Sequence, residues 1–326
     1  MTQPPQPDNP PVADPVQPLT DPAPGRPVYW HYDHFQLPLP ARHRYPRQKY
    51  QLVRELLVGE GTISPARMIA ATPVDWSVLA LLHTAPYLAA LRNNALSRDA
   101  ERELGLPFTP LLADRARAAV QATVQGARRA LVEGIAVNLG GGNHHSFPER
   151  PSGYCLLNDI AVAVRVLQQA RLVERVALID LDVHQGNANA EIFRHDRGVL
   201  TLSVHGARNW PYRKAESDID IALPDLTGDA DYLAALADPL EQVFTHFRPD
   251  IVFYQAGVDP LTQDRLGRLA LTHAGLRARD ALVIGHCRQA HCPLVITMGG
   301  GYGQPIEATV EAHANTFREL EAQWGP

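Results

Sequence analysis

Val176-Ala177-Leu178-Ile179-Asp180-Leu181-Asp182-Val183-His184-Gln185-Gly186-Asn187 is the stretch from which the fold can be read. It opens on four apolar residues with no polar position between them, as a strand does when both its faces are covered. The run then breaks directly into Asp180, Asp182 and His184, and residues two apart on an extended chain point the same way. Two carboxylates and an imidazole aimed at one place repel and desolvate badly unless a cation joins them. A metal resolves the conflict, and oxygen and nitrogen donors without cysteine suit zinc, iron, manganese or cobalt. The plainer alternative is a solvated loop with an N-capping aspartate. Against it stands the abruptness with which the triplet follows a buried strand.

Three further runs read the same way: Ile135–Leu139, Ile251–Tyr254 and Leu294–Met298. Helical patterns lie among them at Leu157–Gln169, Asp231–Phe247 and Ala274–Arg288. Strands alternating with helices predict an α/β fold, a single mainly parallel β-sheet flanked by helices on both faces. Upstream, Val28–Tyr32 reads as a short strand, Tyr50–Val58 as a helix, and Trp76–Asn93 as a helix entered near Asp75 and kinked at Pro86. Leu111–Glu133 reads as a long helix that Gly134 ends. Residues 1–27 carry ten prolines and little that could pack, the composition of a disordered or polyproline-like tail. That leaves 28–326 as one domain.

Each strand runs into a cluster of glycine and reactive side chains. The other three clusters are Gly140-Gly141-Gly142-Asn143-His144-His145, Ala256-Gly257-Val258-Asp259 and Gly299-Gly300-Gly301-Tyr302-Gly303. Ligands of an open parallel sheet bind beyond the carboxyl ends of its strands, so the four clusters converge on one site. Asp259 alone would be a cap or turn residue, but at the end of an apolar strand it is a candidate third metal ligand. Asp182, His184 and Asp259 together would leave a coordination position open for water and substrate, the arrangement of a catalytic metal. A lone histidine is more often a satisfied core or surface residue. The His144–His145 pair after three glycines is a candidate general base and general acid. Tyr302, set among glycines that let backbone approach a ligand, is a candidate donor to a developing oxyanion. A phosphate-cradling loop would need a lysine and a Ser/Thr that this one lacks.

Composition narrows the class. Of 326 residues, 45% are hydrophobic and 20% charged, as in an ordinary globular enzyme, and the net charge of −5 leaves no basic footprint for nucleic acid. No apolar stretch suggests a membrane span, and the N-terminus lacks a secretory signal pattern. Three cysteines (Cys155, Cys287, Cys292) make no disulfide framework, so a cytoplasmic setting is expected.

The ordered clusters, with Gly153-Tyr154-Cys155-Leu156-Leu157-Asn158-Asp159 between the first and second, resemble the histone deacetylase and acetoin-utilisation protein family over roughly residues 28–320. The resemblance implies an arginase-like α/β fold and zinc-dependent hydrolysis of an acylated amine, with Asp182, His184 and Asp259 on the metal. His144 and His145 would then move protons, Asp180 would bond His144, and Tyr302 would polarise the scissile carbonyl. A structural potassium ion would lie among the backbone oxygens of Asp180, Asp182, His184 and Val204 and the side chains of Asp180 and Ser203. Gly153, Tyr154 and Trp210 would line the acyl-lysine tunnel, and Arg44 would stand behind the acetate pocket.

One departure stands out. Most of the family has aspartate where this chain has Asn187, the expected partner of His145. Asparagine after His-Gln-Gly, together with Gln263-Asp264-Arg265-Leu266-Gly267, is most like the class IV branch. A neutral amide stabilises an imidazolium less than a carboxylate does, so His145 should have a lower pKa than a counterpart beside aspartate. An arginase-like two-manganese site would need further carboxylates where Gln185 and Asn187 stand, so one metal is expected. The expected substrate is acyl-lysine in a protein or peptide, with zinc as the metal and iron(II) as the alternative. The runner-up is a small acylated amine such as an acetylpolyamine, which an acid at the tunnel mouth would favour, with Asp264 the candidate. Class IV likeness also admits long fatty acyl chains. A weak binder of acylated lysine is a third reading, which an intact His144, His145 and Tyr302 set argues against.

Overall fold

The computed structural model describes residues 25–40 and 43–324, so the proline-rich tail expected over residues 1–27 lies, but for 25–27, outside the described residues. The strands are β1 (Val28–His31), β2 (Met68–Ala70), β3 (Ile135–Asn138), β4 (Val176–Asp180), β5 (Val199–Gly206), β6 (Ile219–Leu223), β7 (Ile251–Gln255) and β8 (Leu294–Thr297). They make one eight-stranded sheet in the order β2-β1-β3-β8-β7-β4-β5-β6, parallel at every pairing. The helices are α1 (Lys49–Gly59), α2 (Trp76–Leu79), α3 (Ala85–Arg92), α4 (Arg98–Leu104), α5 (Pro110–Glu133), α6 (Asp159–Gln169), α7 (Asn187–Phe193), α8 (Asp229–Gln242), α9 (His273–Gln289) and α10 (Ile306–Trp324). Among the described residues no helix is long and apolar enough to cross a membrane.

The two-sided apolar runs have a direct physical counterpart. In β4, Val176 and Leu178 pack into one core layer with α5 and α6, while Ala177 and Ile179 pack into the other with α8, α9 and α10. Strands β7 and β8 divide in the same way. With both faces of these strands buried, the four polar clusters lie beyond their carboxyl ends.

The local readings differ from the structure in a few places. Trp76–Asn93 is two helices, α2 and α3, and Pro86 lies in the first turn of α3, where its missing N–H and preset φ cost nothing. Asp75 caps α2 through Ser77 N. The helix read over Asp231–Phe247 changes after Gln242 into a wider-turned segment, Val243–Phe247. Strands β2, β5 and β6 and helices α4, α7 and α10 escaped the sequence reading. Thr201, Ser203 and His205 interrupt β5, and Thr309, His313 and Thr316, all buried on α10, break its apolar period. All three cysteines are free and buried.

Candidate active site

Strand β4 ends at Asp180, and the chain then turns so that Asp182 and His184 face Asp259, just beyond β7. One donor atom from each of Asp182, His184 and Asp259 lies within 4.8 Å of the others, and all three residues are buried. His184 Nδ1 is 3.0 Å from both Asp182 Oδ1 and Asp259 Oδ2. The remaining carboxylate oxygens are occupied: Asp182 Oδ2 accepts from Gln255 Nε2 and Gly300 N, and Asp259 Oδ1 from Val183 N. Glycine is obligatory beside this pair, since a Cβ on Gly300 would stand 2.1 Å from Asp259 Oδ2.

These charges fit a divalent metal. Burial opposes a charge on His184, but Asp182 and Asp259 hold its pKa up at about 10; burial and then Asp182 push Asp259 up to about 7. A cage that draws a proton this strongly is one whose excess negative charge a cation would satisfy. With nitrogen and oxygen donors alone, the three residues form a candidate site for a divalent metal ion.

The histidine pair is carried by the turn after β3. Asp159, the first residue of α6, pins that turn by accepting from Gly142 N, Asn143 N and Asn143 Nδ2. The two rings lie 3.9 Å apart between centroids. His144 Nδ1 meets Asp180 Oδ2 at 2.6 Å, while His145 Nδ1 meets Asn187 Oδ1 at 2.7 Å. Burial would lower both imidazoles, yet the Asp180 and Asp182 carboxylates leave His144 above its ordinary value. His145 has only an amide as partner and lies well below, held down by burial and then by His144 and His184. Environments that push two neighbouring groups apart are how one site obtains both a base and an acid.

Tyr302 closes the opposite side. Burial, then Asp182 and Asp259, raise its phenol well above the usual range, so it stays protonated. Its backbone is clamped: Asp264 Oδ2 accepts from Tyr302 N, and Arg265 Nε donates to Tyr302 O. Lys49, the first residue of α1 and 1% exposed, donates through Nζ to Gly299 O and lies 5.6 Å from the Tyr302 ring centre. Burial lowers its pKa to about 8 against the pull of Asp259 and Asp182.

A cleft of about 540 Å³ leads in from solvent past Gly153, Tyr154 and Trp210 to His145, His184 and Tyr302. Trp210 stands edge-on to His145 at 4.5 Å, and Tyr154 faces Tyr302 at 5.9 Å. Gly153 has φ +51°, and a Cβ there would stand 2.7 Å from the Trp210 ring and 2.8 Å from His145. Beyond it a narrow cavity of about 40 Å³, walled by Tyr45, Tyr50, Gly142 and Tyr302 among others, continues inward.

Two expectations are corrected. Arg44 does not stand behind the innermost pocket. It is exposed and lines the outer cleft, and the cation beneath the Tyr302 loop is Lys49. The reason is that Arg44 precedes α1, whereas Lys49 opens it and is carried inward on its buried face. Asp264 is not an acid offered at the mouth, because its carboxylate turns inward onto the backbone N–H groups of Leu266, Gly267 and Tyr302. Ser203 and Val204 lie on β5, with Ser203 in register with Asp180 of β4 and its hydroxyl 3.0 Å from His205 Nδ1. The sequence reading assigned no role to Lys49, Asp159 or Arg279. Arg279, wholly buried, donates to Leu181 O and Gly257 O beside the ligand-bearing turns and pairs with Asp280.

The chain matches a family model described as histone deacetylase domain over residues 43–318. It is 41% identical over 294 residues to an uncharacterized protein of Picosynechococcus sp., covering 90% of this chain and 98% of that protein. Histone deacetylase 2 of Arabidopsis thaliana is 28% identical, covering 90% of this chain and 77% of that one. Acetoin utilization protein AcuC of Staphylococcus xylosus is also 28% identical, over 87% and 80% of the two chains. The solved structure of an HDAC homolog complexed with SAHA superposes with a TM-score of 0.79 at 26% identity, covering 90% of this chain and 84% of that one.

Proposed function

Since the chain belongs to the histone deacetylase family of amide hydrolases, we propose that it removes the acyl group from the lysine side chain of a protein or peptide with the help of one bound metal. The observation that carries this reading is the convergence of three buried donors, two differently tuned imidazoles and one phenol at the floor of a single cleft. Asp182, His184 and Asp259 would hold zinc or, alternatively, iron(II). When bound, the metal supplies Lewis acidity toward the scissile carbonyl and the attacking water.

His145, with Nδ1 engaged by Asn187 Oδ1, has Nε2 free as the lone pair that takes the water's proton. The water oxygen bonds to the acyl carbon, Tyr302 donates to the oxygen that becomes negative, and the C–N bond then breaks. His144, which Asp180 favours in its protonated form, gives a proton to the departing lysine nitrogen; of the proton on His145 and that of the new carboxyl group, one recharges His144 and the other leaves the amine as an ammonium. Trp210 and Tyr154 flank the lysine methylenes and keep water out. The inner cavity of about 40 Å³ holds only a few water-sized spheres, which favours acetyl over a fatty chain. Among the described residues Glu103 is the one acidic side chain lining the outer cleft, which weakens the polyamine reading. A structural potassium ion would sit beside Asp180, Asp182, His184, Ser203 and Val204; the in-register meeting of Asp180 and Ser203 supports that placement.

The direct test is turnover of an acetyl-lysine peptide beside a long-chain acyl-lysine peptide and an acetylpolyamine. Acetyl-lysine should be hydrolysed fastest, and faster hydrolysis of either competitor would replace the substrate named here.

Two variants probe the machinery further. Asn187→Asp gives His145 a carboxylate partner, which favours the imidazolium and raises its pKa. A base works above its pKa, so the acid limb of the kcat/KM profile should move to higher pH, and an unmoved limb would refute the tuning. Asp264→Ala frees the Tyr302 backbone. It should lower kcat about tenfold or more while leaving peptide KM nearly constant, as small misplacements of a catalytic group do. A change confined to KM would place Asp264 in binding instead.

A further inference from the structure

Resting on the hydrolase reading above, we propose that the acyl-lysine substrate lies in an acidic segment, recognised by arginines around the mouth of the cleft. Among the described residues, the charged side chains lining that cleft are Arg44, Arg102, Arg208 and Arg268 against the single acid Glu103. Arg265 stands at the same rim, exposed, tying the Tyr302 loop to the Arg44 loop by donating to Tyr302 O and Arg44 O.

Their pairing decides how much of this charge is available. Arg102 is matched by Asp99 on its own helix, and Glu103 lies 3.7 Å from Arg150. Arg208 and Arg268 share one carboxylate oxygen of Asp225, at 3.5 and 2.8 Å, so that group of three keeps one positive charge. Arg44 pairs with no carboxylate among the described residues, Arg265 donates to the neutral acceptors Tyr302 O, Gln304 Oε1 and Arg44 O, and both act electrostatically on the phenol of Tyr154 in the tunnel wall. The mouth is therefore positive on a chain whose net charge is −5, a local inversion of sign around the entrance. Arg102 and Arg208 stay exposed beside their carboxylate partners, at 79% and 73%, so a ligand can reach them.

An extended peptide that sends one acyl-lysine down the tunnel must lay its neighbouring residues across this rim. Acidic neighbours would gain from the guanidiniums, which can grip a carboxylate with two parallel hydrogen bonds. Basic neighbours, or a polyamine, would be repelled on approach. The interaction is exposed and within a Debye length, so salt weakens it.

The experiment compares three acetyl-lysine peptides of one length, flanked at the same positions by Glu, Gln or Lys, at low and at high salt. The metal-loaded full chain should favour Glu over Gln over Lys, spanning about tenfold in kcat/KM, mostly in KM, and the span should shrink at high salt. Arg44→Glu combined with Arg208→Glu should reverse the order. Both side chains are exposed, and the ratio between peptides is internal to each protein, so partial loss of active protein does not mimic the reversal. Equal rates on the three peptides, or preference for Lys flanks by the unaltered chain, would overturn this proposal and leave the hydrolase reading standing. No hydrolysis of any peptide would overturn both.

Discussion

Tyr302→Phe should lower kcat for acetyl-lysine hydrolysis by about 10²–10³-fold, the usual consequence of removing one oxyanion donor, with far less change in KM. The phenol is held at the cleft floor by Asp264 and Arg265 acting on its backbone and by Lys49 behind its ring. Its proton is kept on by burial and the nearby Asp182 and Asp259. Phenylalanine keeps the ring packing and loses only the donor, so the protein should fold and bind peptide much as before. A variant that kept more than about a third of kcat would remove Tyr302 from the chemistry, because a donor used in the transition state cannot be dispensed with so cheaply.

The second large effect is expected at the metal. Asp259→Ala removes one of three protein ligands and should cut zinc content from one per chain to a small fraction, with kcat/KM falling by about 10³-fold or more. Stability offers an independent readout. A ligand that binds only the folded chain raises its stability by about 4 kcal/mol at a thousand times Kd, so zinc should raise the Tm of the unaltered chain. The variant should show almost none of that rise. Retained zinc and an undiminished Tm shift in Asp259→Ala would mean that the metal lies elsewhere.

The sheet and the site were legible to different depths, for physical reasons. Strands β3, β4, β7 and β8 are the buried middle of the sheet, where apolarity on both faces leaves a plain mark in sequence. The edge strands β2 and β6 are short or half-exposed, and β5 carries polar residues that face inward, so none has that mark. Position at a strand end was enough to bring Asp182, His184 and Asp259 into one group, and the structure gathers them within 4.8 Å. Position along the chain was not enough for the cation behind Tyr302. Lys49 falls just ahead of the helix read over Tyr50–Val58, and its burial and its long-range bond to Gly299 O come from the tertiary fold. Asp159 and Arg279 were hidden for the same reason. Their partners are backbone groups of distant turns, which no spacing rule reveals.

The most direct test of the account is release of acetate and free lysine from an acetyl-lysine peptide by the chain stripped of metal, then reloaded with one equivalent of zinc. The account predicts no release from the stripped protein, recovery with the added zinc, and no recovery in Tyr302→Phe. Release that survives stripping, or a fully loaded chain inert toward acetyl-lysine, long-chain acyl-lysine and acetylpolyamine alike, would contradict it.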